Sequence, residues 1–165
     1  MIEIRPYIQQ DWPALMQIHD HARPIELHLA GLDNAFIPLS EAAFTEGLFD
    51  YTIDVAVLEK RPVGFVAYSQ TELAWLYVHP GFLRMGIGRS LVSHVLKKNA
   101  NESVHIEVLY GNEPAKKLYE QMGFVVYDNA QGVMPGNESF PVKVYCMKIN
   151  RPAKAVALNA NEERP

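Results

Sequence analysis

The stretch that most constrains this chain is RMGIGRS, residues 84–90, because it hands a strand over to a helix through a turn with little side-chain bulk. Upstream, residues 73–78 (LAWLYV) read as a strand that ends at His79-Pro80. Downstream, residues 86–98 place Ile87, Leu91, Val92, Val95 and Leu96 on one face at helical spacing. Gly86 and Gly88 carry no Cβ, so the backbone N–H groups from Met85 to Ser90 can converge on one ligand. A helix start also leaves its first amides unpaired and presents the positive end of its dipole. The expectation is an anion site built mainly from backbone. It is not a dinucleotide fingerprint, since Leu91 stands where the third glycine belongs, and no Gly-Lys-Ser/Thr follows as in a Walker loop.

The next block completes a crossover. Residues 103–110 alternate, with Val104, Ile106 and Val108 on one side and His105, Glu107 and Leu109 on the other. A helix then starts at Asn112, a good N-cap, with Pro114 in its first turn and Gly123 placed for a left-handed C-terminal cap. Ala115, Leu118, Tyr119 and Met122 recur at i, i+3, i+4 and i+7, so the same residues could equally form one apolar face.

The two blocks together resemble the GNAT superfamily of N-acetyltransferases. Gly86, Ile87 and Gly88 match the second half of its acetyl-CoA loop, and Asn112, Ala115, Leu118, Tyr119, Gly123 and Phe124 match its following helix. The first loop position, where the family has Gln or Arg, falls on Leu83; the nearest arginine is one residue later, Arg84. The resemblance implies one α/β (α+β) domain over residues 1–150. Its centre would be a mixed, mostly antiparallel twisted sheet of about seven strands, flanked by about four helices. It also implies acetyl-CoA as cosubstrate. The pantetheine arm would pair with Leu76, Tyr77 and Val78, one amide of Tyr77 or Val78 polarising the acetyl carbonyl. The pyrophosphate would lie on Arg84, Met85, Gly86, Ile87, Gly88, Arg89 and Ser90, with the Arg84 and Arg89 side chains as helpers, and Asn112, Ala115, Leu118 and Tyr119 would complete the cofactor site.

Acetyl transfer to an amine needs the amine deprotonated, the carbonyl oxygen stabilised and the departing sulfur protonated. Tyr119 is the expected acid, because a phenol of pKa about 10 can give a proton to a thiolate whose conjugate acid lies near 8.5. Glu107 is the expected base, since ribosomal-protein N-acetyltransferases of the superfamily carry a catalytic glutamate at that spacing before the asparagine; a partly buried carboxylate would serve better. Glu72, His79 and His105 remain competitors, and Glu107 could instead anchor the substrate. The acceptor is expected between residues 22–40 and 128–140, with Glu26, His28, Asp33, Phe36, Met134, Asn137 and Glu138 as candidate walls.

With 165 residues and 48% hydrophobic content the chain can bury one full core. A net charge of −4 disfavours nucleic acid as main partner and suits a cationic amine. The single cysteine, Cys146, excludes an internal disulfide and reads as a small core residue. No apolar run reaches the roughly 18 residues of a membrane span, and the N-terminus lacks a secretion signal, so a soluble cytoplasmic monomer or homodimer without a membrane partner is expected. The histidines form no ligand pattern, and no metal is expected. A non-catalytic acyl-CoA sensor, and a different α/β enzyme with a similar phosphate loop, are the alternatives.

Elsewhere the pattern predicts a first strand over 2–8, a helix over 12–22 capped by Asp11, no periodic structure over 22–39, and a short helix over 41–49 capped by Ser40. It then predicts a hairpin of strands 52–59 and 62–69, a strand 125–129, a loop 130–138 and a closing strand 139–149. Residues 151–165 read as a mobile tail.

Overall fold

The computed structural model of the protein describes residues 1–100 and 103–150. The expected tail, 151–165, lies outside the described residues. Four strands, β1 (Ile2–Pro6), β2 (Thr52–Leu58), β3 (Arg61–Tyr68) and β4 (Leu73–Val78), form an antiparallel sheet in chain order. Three more, β5 (Val104–Leu109), β6 (Val125–Met134) and β7 (Asn137–Ile149), form a second antiparallel sheet in the order β5-β7-β6. The expected mixed sheet of seven strands is therefore present as two antiparallel parts. They meet at a parallel bridge between Glu72 and His105, where the His105 N–H donates to the Thr71 carbonyl at 2.8 Å.

Strand alternation divides the interior between two faces. Helix α3 (Ile87–Lys98) and helix α4 (Glu113–Gln121) cover one face, where Val66, Leu91, Val95, Ile106 and Phe124 pack together. Helix α1 (Trp12–Leu29) and helix α2 (Leu39–Thr45) cover the other, over Leu15, Ile18, Val55, Phe65 and Trp75. Val104, Ile106 and Val108 are buried on the α3 side, as the period of two predicts, which turns His105, Glu107 and Leu109 to the α1 side.

Four local expectations are corrected. Helix α1 does not stop near residue 22 but runs to Leu29 with Pro24 inside it. Pro24 has no N–H for the Asp20 carbonyl, yet burial of Leu15, Ile18, His19 and Leu27 along the helix outweighs that loss. Asp11 does not cap α1; its carboxylate accepts two bonds from Arg5, at 2.7 and 2.8 Å, and one from the Ile8 N–H at 3.0 Å. Nor does Ser40 cap α2, which follows Pro38 and whose Leu39 N–H donates to the Asp20 carboxylate at 2.9 Å. The predicted loop 130–138 is mostly strand. β6 continues to Met134 and turns at Pro135-Gly136 into β7, because pairing with β7 satisfies its backbone although most of its side chains are exposed.

One backbone contact sets the geometry of the region that follows. Gly111 has φ +96°, and a Cβ there would lie 2.1 Å from the Leu29 carbonyl oxygen. Only glycine lets the β5–α4 connection pass so close to the end of α1. The consequence is that Asn112, the first residue of the α4 cap, reaches Glu26 on α1. Cys146 is buried on β7 opposite Glu107. Among the described residues no helix is long and apolar enough to cross a membrane.

Candidate active site

Beyond the bridge at Glu72, β4 and β5 part company, and a cleft of 110 Å³ opens between them, with Asn112, Ala115 and Tyr119 also lining it. The edge of β4 that faces this cleft follows from its pairing with β3. His79 N–H donates to the Val63 carbonyl at 2.9 Å, so by the two-residue alternation of an antiparallel ladder Tyr77 turns its N–H and C=O to Phe65. Leu76 and Val78 turn theirs to the gap. Of the two amides expected near a bound carbonyl, geometry therefore offers Val78 and commits Tyr77 to the sheet.

At the end of β4 the chain turns through a 3-10 turn, Pro80–Phe82, and enters α3 with Gly86 at φ +77° as N-cap. The first intrahelical bond is Ser90 N–H to the Gly86 carbonyl, 2.9 Å. Ser90 is thus spent inside the helix, and the amides of Ile87, Gly88 and Arg89 are the ones left unpaired at the helix start. A Cβ on Gly86 would meet no protein atom within 4 Å, whereas one on Gly88 would lie 3.5 Å from Leu118 Cδ2 and 3.9 Å from Val78 Cγ2. Both distances are ordinary contacts, so the packing of α4 and β4 on the loop does not itself demand a glycine at position 88. Arg84 is exposed with φ +63°, a conformation uncommon for a residue with a side chain. Arg89 donates to Gln121 at 2.8 Å.

Tyr119 is 6% exposed and packs edge-to-face on Phe124 with ring centroids 5.6 Å apart. Its hydroxyl has no hydrogen-bond partner among the described residues. Every wholly buried polar side-chain atom there does have one, so this hydroxyl opens on the cleft. Burial, and then the charge of Glu26, push the phenol above its usual range. Glu26 is the hub of the cleft: it takes Arg23 by an ion pair, the Tyr77 hydroxyl at 3.3 Å and the Asn112 side-chain amide at 3.3 Å. Asn112 also caps α4 by accepting from the Ala115 N–H at 3.4 Å, so the cap and the cleft contact are one side chain.

A second, larger cavity of 440 Å³ lies between α1, β4, β5 and the β6–β7 hairpin. Its polar lining includes Glu46, Glu72 and Glu107 together with Arg23 and His19, set among Tyr51, Trp75 and Tyr77. Glu107 is exposed on β5, not partly buried. Glu72 accepts from the Tyr51 hydroxyl at 2.9 Å. Burial pushes the Glu46 carboxyl up, with Arg23 pulling the other way.

Comparison with known proteins agrees with this geometry. A family profile described as an acetyltransferase (GNAT) domain matches residues 50–126. An uncharacterized N-acetyltransferase of Escherichia coli, YafP, is 24% identical over 132 residues, 74% of this chain and 81% of its own. The E. coli ribosomal protein bS18-alanine N-acetyltransferase is 29% identical over 109 residues, 61% of this chain and 73% of its own. Among solved structures, the PaiA N-acetyltransferase of Thermoplasma acidophilum in complex with coenzyme A shares the fold with a TM-score of 0.68, at 18% identity, over 91% of this chain and 99% of that one. Residues 50–126 thus match the acetyltransferase (GNAT) domain family, and the chain shares the fold of solved N-acetyltransferases.

The cradle and the cleft fit the CoA group that this match implies: three unpaired amides at a glycine N-cap, open space over Gly86, and a strand edge with free amides leading inward. The other sequence expectations scatter. Of the candidate acceptor walls, Met134 lines the large cavity and Glu26 the cleft. Phe36 stacks against His19 at 6.2 Å, Asn137 ties the hairpin to the Ala35 carbonyl, and Glu138 closes its own turn on Gly136. His28 and Asp33 pair with each other on the surface. His79 accepts from Gly81 in the loop and His105 contacts Tyr127, and neither lines the two cavities. Missed were His19, Arg23, Glu46, Tyr51 and Trp75. Three of these come from α1 and α2 or their immediate flank, and the spacing of polar residues along the apolar face of α1 was the available signal.

Proposed function

We propose that this protein moves an acetyl group from acetyl-CoA to a primary amine, a small molecule or the N-terminus of a peptide, in a ternary complex. The observation that carries the proposal is the shared wall of the cleft and the large cavity: Arg23, Ala74, Trp75, Tyr77, Glu107 and Leu109 line both. A thioester arriving along β4 and an amine arriving from the hairpin side meet at that wall. Acetyl-CoA supplies the reactive thioester; the amine nitrogen bonds to the acetyl carbon while the carbon–sulfur bond breaks and the sulfur leaves as the CoA thiol.

The chain's own residues do the rest. Amides of Ile87, Gly88 and Arg89 hold the pyrophosphate, and those of Leu76 and Val78 hold the pantetheine arm, Val78 polarising the acetyl carbonyl. The Tyr119 hydroxyl, free in the cleft, donates to the sulfur. Glu107, exposed at the cavity wall, attracts and orients the ammonium. An exposed carboxylate beside an ammonium pairs with the cation by a charge-assisted hydrogen bond. The CoA complex of PaiA and the amine-acetylating names of the sequence relatives support this reading.

The test is a thiol-release screen with acetyl-CoA against amines and peptides, run beside calorimetry of acetyl-CoA binding. The expected result is binding at micromolar concentration and amine-dependent release of one thiol per acetylated product. Binding without release across the whole panel would replace the enzyme with an acyl-CoA sensor, and no binding would end the assignment of the cradle.

A further inference from the structure

The large cavity contains a polar side chain that the proposed chemistry has not used. His19, on α1, is 2% exposed and lines the cavity wall. Its Nδ1 lies 2.9 Å from Asp20 Oδ1, and the same oxygen accepts the Leu39 N–H at 2.9 Å. A carboxylate can only accept, so Nδ1 carries the proton and, in the neutral ring, Nε2 carries the lone pair. Nε2 has no partner among the described residues. Since every wholly buried polar side-chain atom among them has one, Nε2 opens on the cavity. Phe36 at 6.2 Å, Trp75 at 6.2 Å and Tyr77 edge-on at 4.9 Å hold the ring in place.

This arrangement has the parts of an oriented general base: an imidazole locked in one tautomer by a carboxylate, with its free nitrogen facing a space sized for a small amine. We propose that His19 Nε2 is the proton acceptor for the amine substrate, with Asp20 as its positioning residue. The proposal rests on the acetyl-transfer reading. The ammonium, drawn in by Glu107, gives one proton to Nε2, directly or across one water; the ring returns it to solvent after turnover. The nitrogen lone pair so freed bonds to the acetyl carbon. The second proton that nitrogen must lose replaces the one Tyr119 gives to the departing sulfur, so the net products are the amide, the thiol and one released proton.

The surroundings keep the imidazole neutral when it has to act. Burial lowers its proton affinity most, Asp20 opposes that, Arg23 lowers it further and Glu26 raises it. From the packed neighbours, Tyr77 on β4 is held protonated by burial, and Glu46, Glu72 and Glu107 line the same cavity. With its pKa below the usual 6.5, His19 is deprotonated at neutral pH, and the acid limb of kcat/KM falls below that value.

Two measurements decide the matter. Long-range proton–nitrogen NMR on the wild-type protein, with no substrate, should show Nδ1 protonated and Nε2 bare at neutral pH; a proton on Nε2 would overturn the proposal. The variant His19→Asn keeps an N–H for Asp20 and removes the base. Its kcat/KM should fall by about 10²-fold or more and lose the acid limb, while acetyl-CoA affinity stays within about twofold. A folded variant with the wild-type pH profile would also sink the idea. If wild-type protein acetylates nothing, the acetyl-transfer reading has failed, and that failure is distinguished by the tautomer, which needs no turnover.

Discussion

Burial that lifts the Tyr119 phenol above its usual range changes what that side chain can do. The matched-strength argument of pKa about 10 against about 8.5 no longer holds in the cleft, and full proton transfer to sulfur becomes harder unless the same burial strengthens the thiolate as a base. What remains is a protonated hydroxyl that has no partner among the described residues and opens on the cleft. Tyr119→Phe keeps the ring on Phe124 and most of the burial, so melting temperature and acetyl-CoA affinity should hardly change. In steady-state kinetics under chemistry-limited conditions kcat should drop by about 10²- to 10⁴-fold; a wild-type kcat would reduce Tyr119 to a core aromatic. Capping and helical spacing, being local, placed Asn112 and Tyr119 on α4 from the sequence, but only the family resemblance gave them an expected part in the site. Glu26 was named only as an outer wall. Its bonds to Tyr77 and Asn112 bring together three distant parts of the chain, and no local rule anticipates such a contact.

Among the elements, the loop into α3 was readable because two glycines, a strand end and an apolar helical face coincide within a few residues. Its chemistry can be separated from its folding. The Cβ position of Gly86 touches no protein atom within 4 Å, so Gly86→Val disturbs no packing; the left-handed φ costs a β-branched residue about 1–2 kcal/mol, which a domain of this size tolerates. Calorimetry should then find a folded protein that has lost acetyl-CoA binding by at least about 10²-fold, and unchanged affinity would remove the pyrophosphate from residues 86–89. Helix α1 and strand β6 were less readable for opposite reasons. In α1 the buried stripe is interrupted by His19, Arg23 and Glu26, whose polarity reflects the cavities they line, and Pro24 imitates a stop. In β6 most side chains are exposed, so no alternation marks the strand, and its existence is set by β7 alongside.

On the scale of the whole molecule, α1 spans both functional spaces, and its two ends are fastened by charge: Asp11 to Arg5 of β1 at the start, Glu26 to Asn112 near the finish. Acid should loosen this arrangement in stages whose signs follow from the titrating groups. His19 has a folded pKa below its unfolded value of about 6.5, so the unfolded chain binds more protons as the pH falls through that value, and stability declines below it. His79, lowered by burial and by His21 and Arg61, adds to the same slope. Asp11 is held below its usual range by the bond to Arg5, so its contribution is complete above about pH 3.9 and is lost as the pH drops from there through the lower folded value. Glu46, raised by burial, works in the other direction: the folded state takes up its proton first, which offsets part of the loss between those two stages. Thermal denaturation from pH 8 to pH 3 should therefore show a falling melting temperature that begins near pH 6.5, flattens, and steepens again below about pH 4. His19→Asn should shrink the first decline and leave the second, while Asp11→Asn should lower stability at neutral pH and flatten the second. A first decline that survives His19→Asn unchanged would mean that His19 is already charged in the folded protein, and would count against its role as a base.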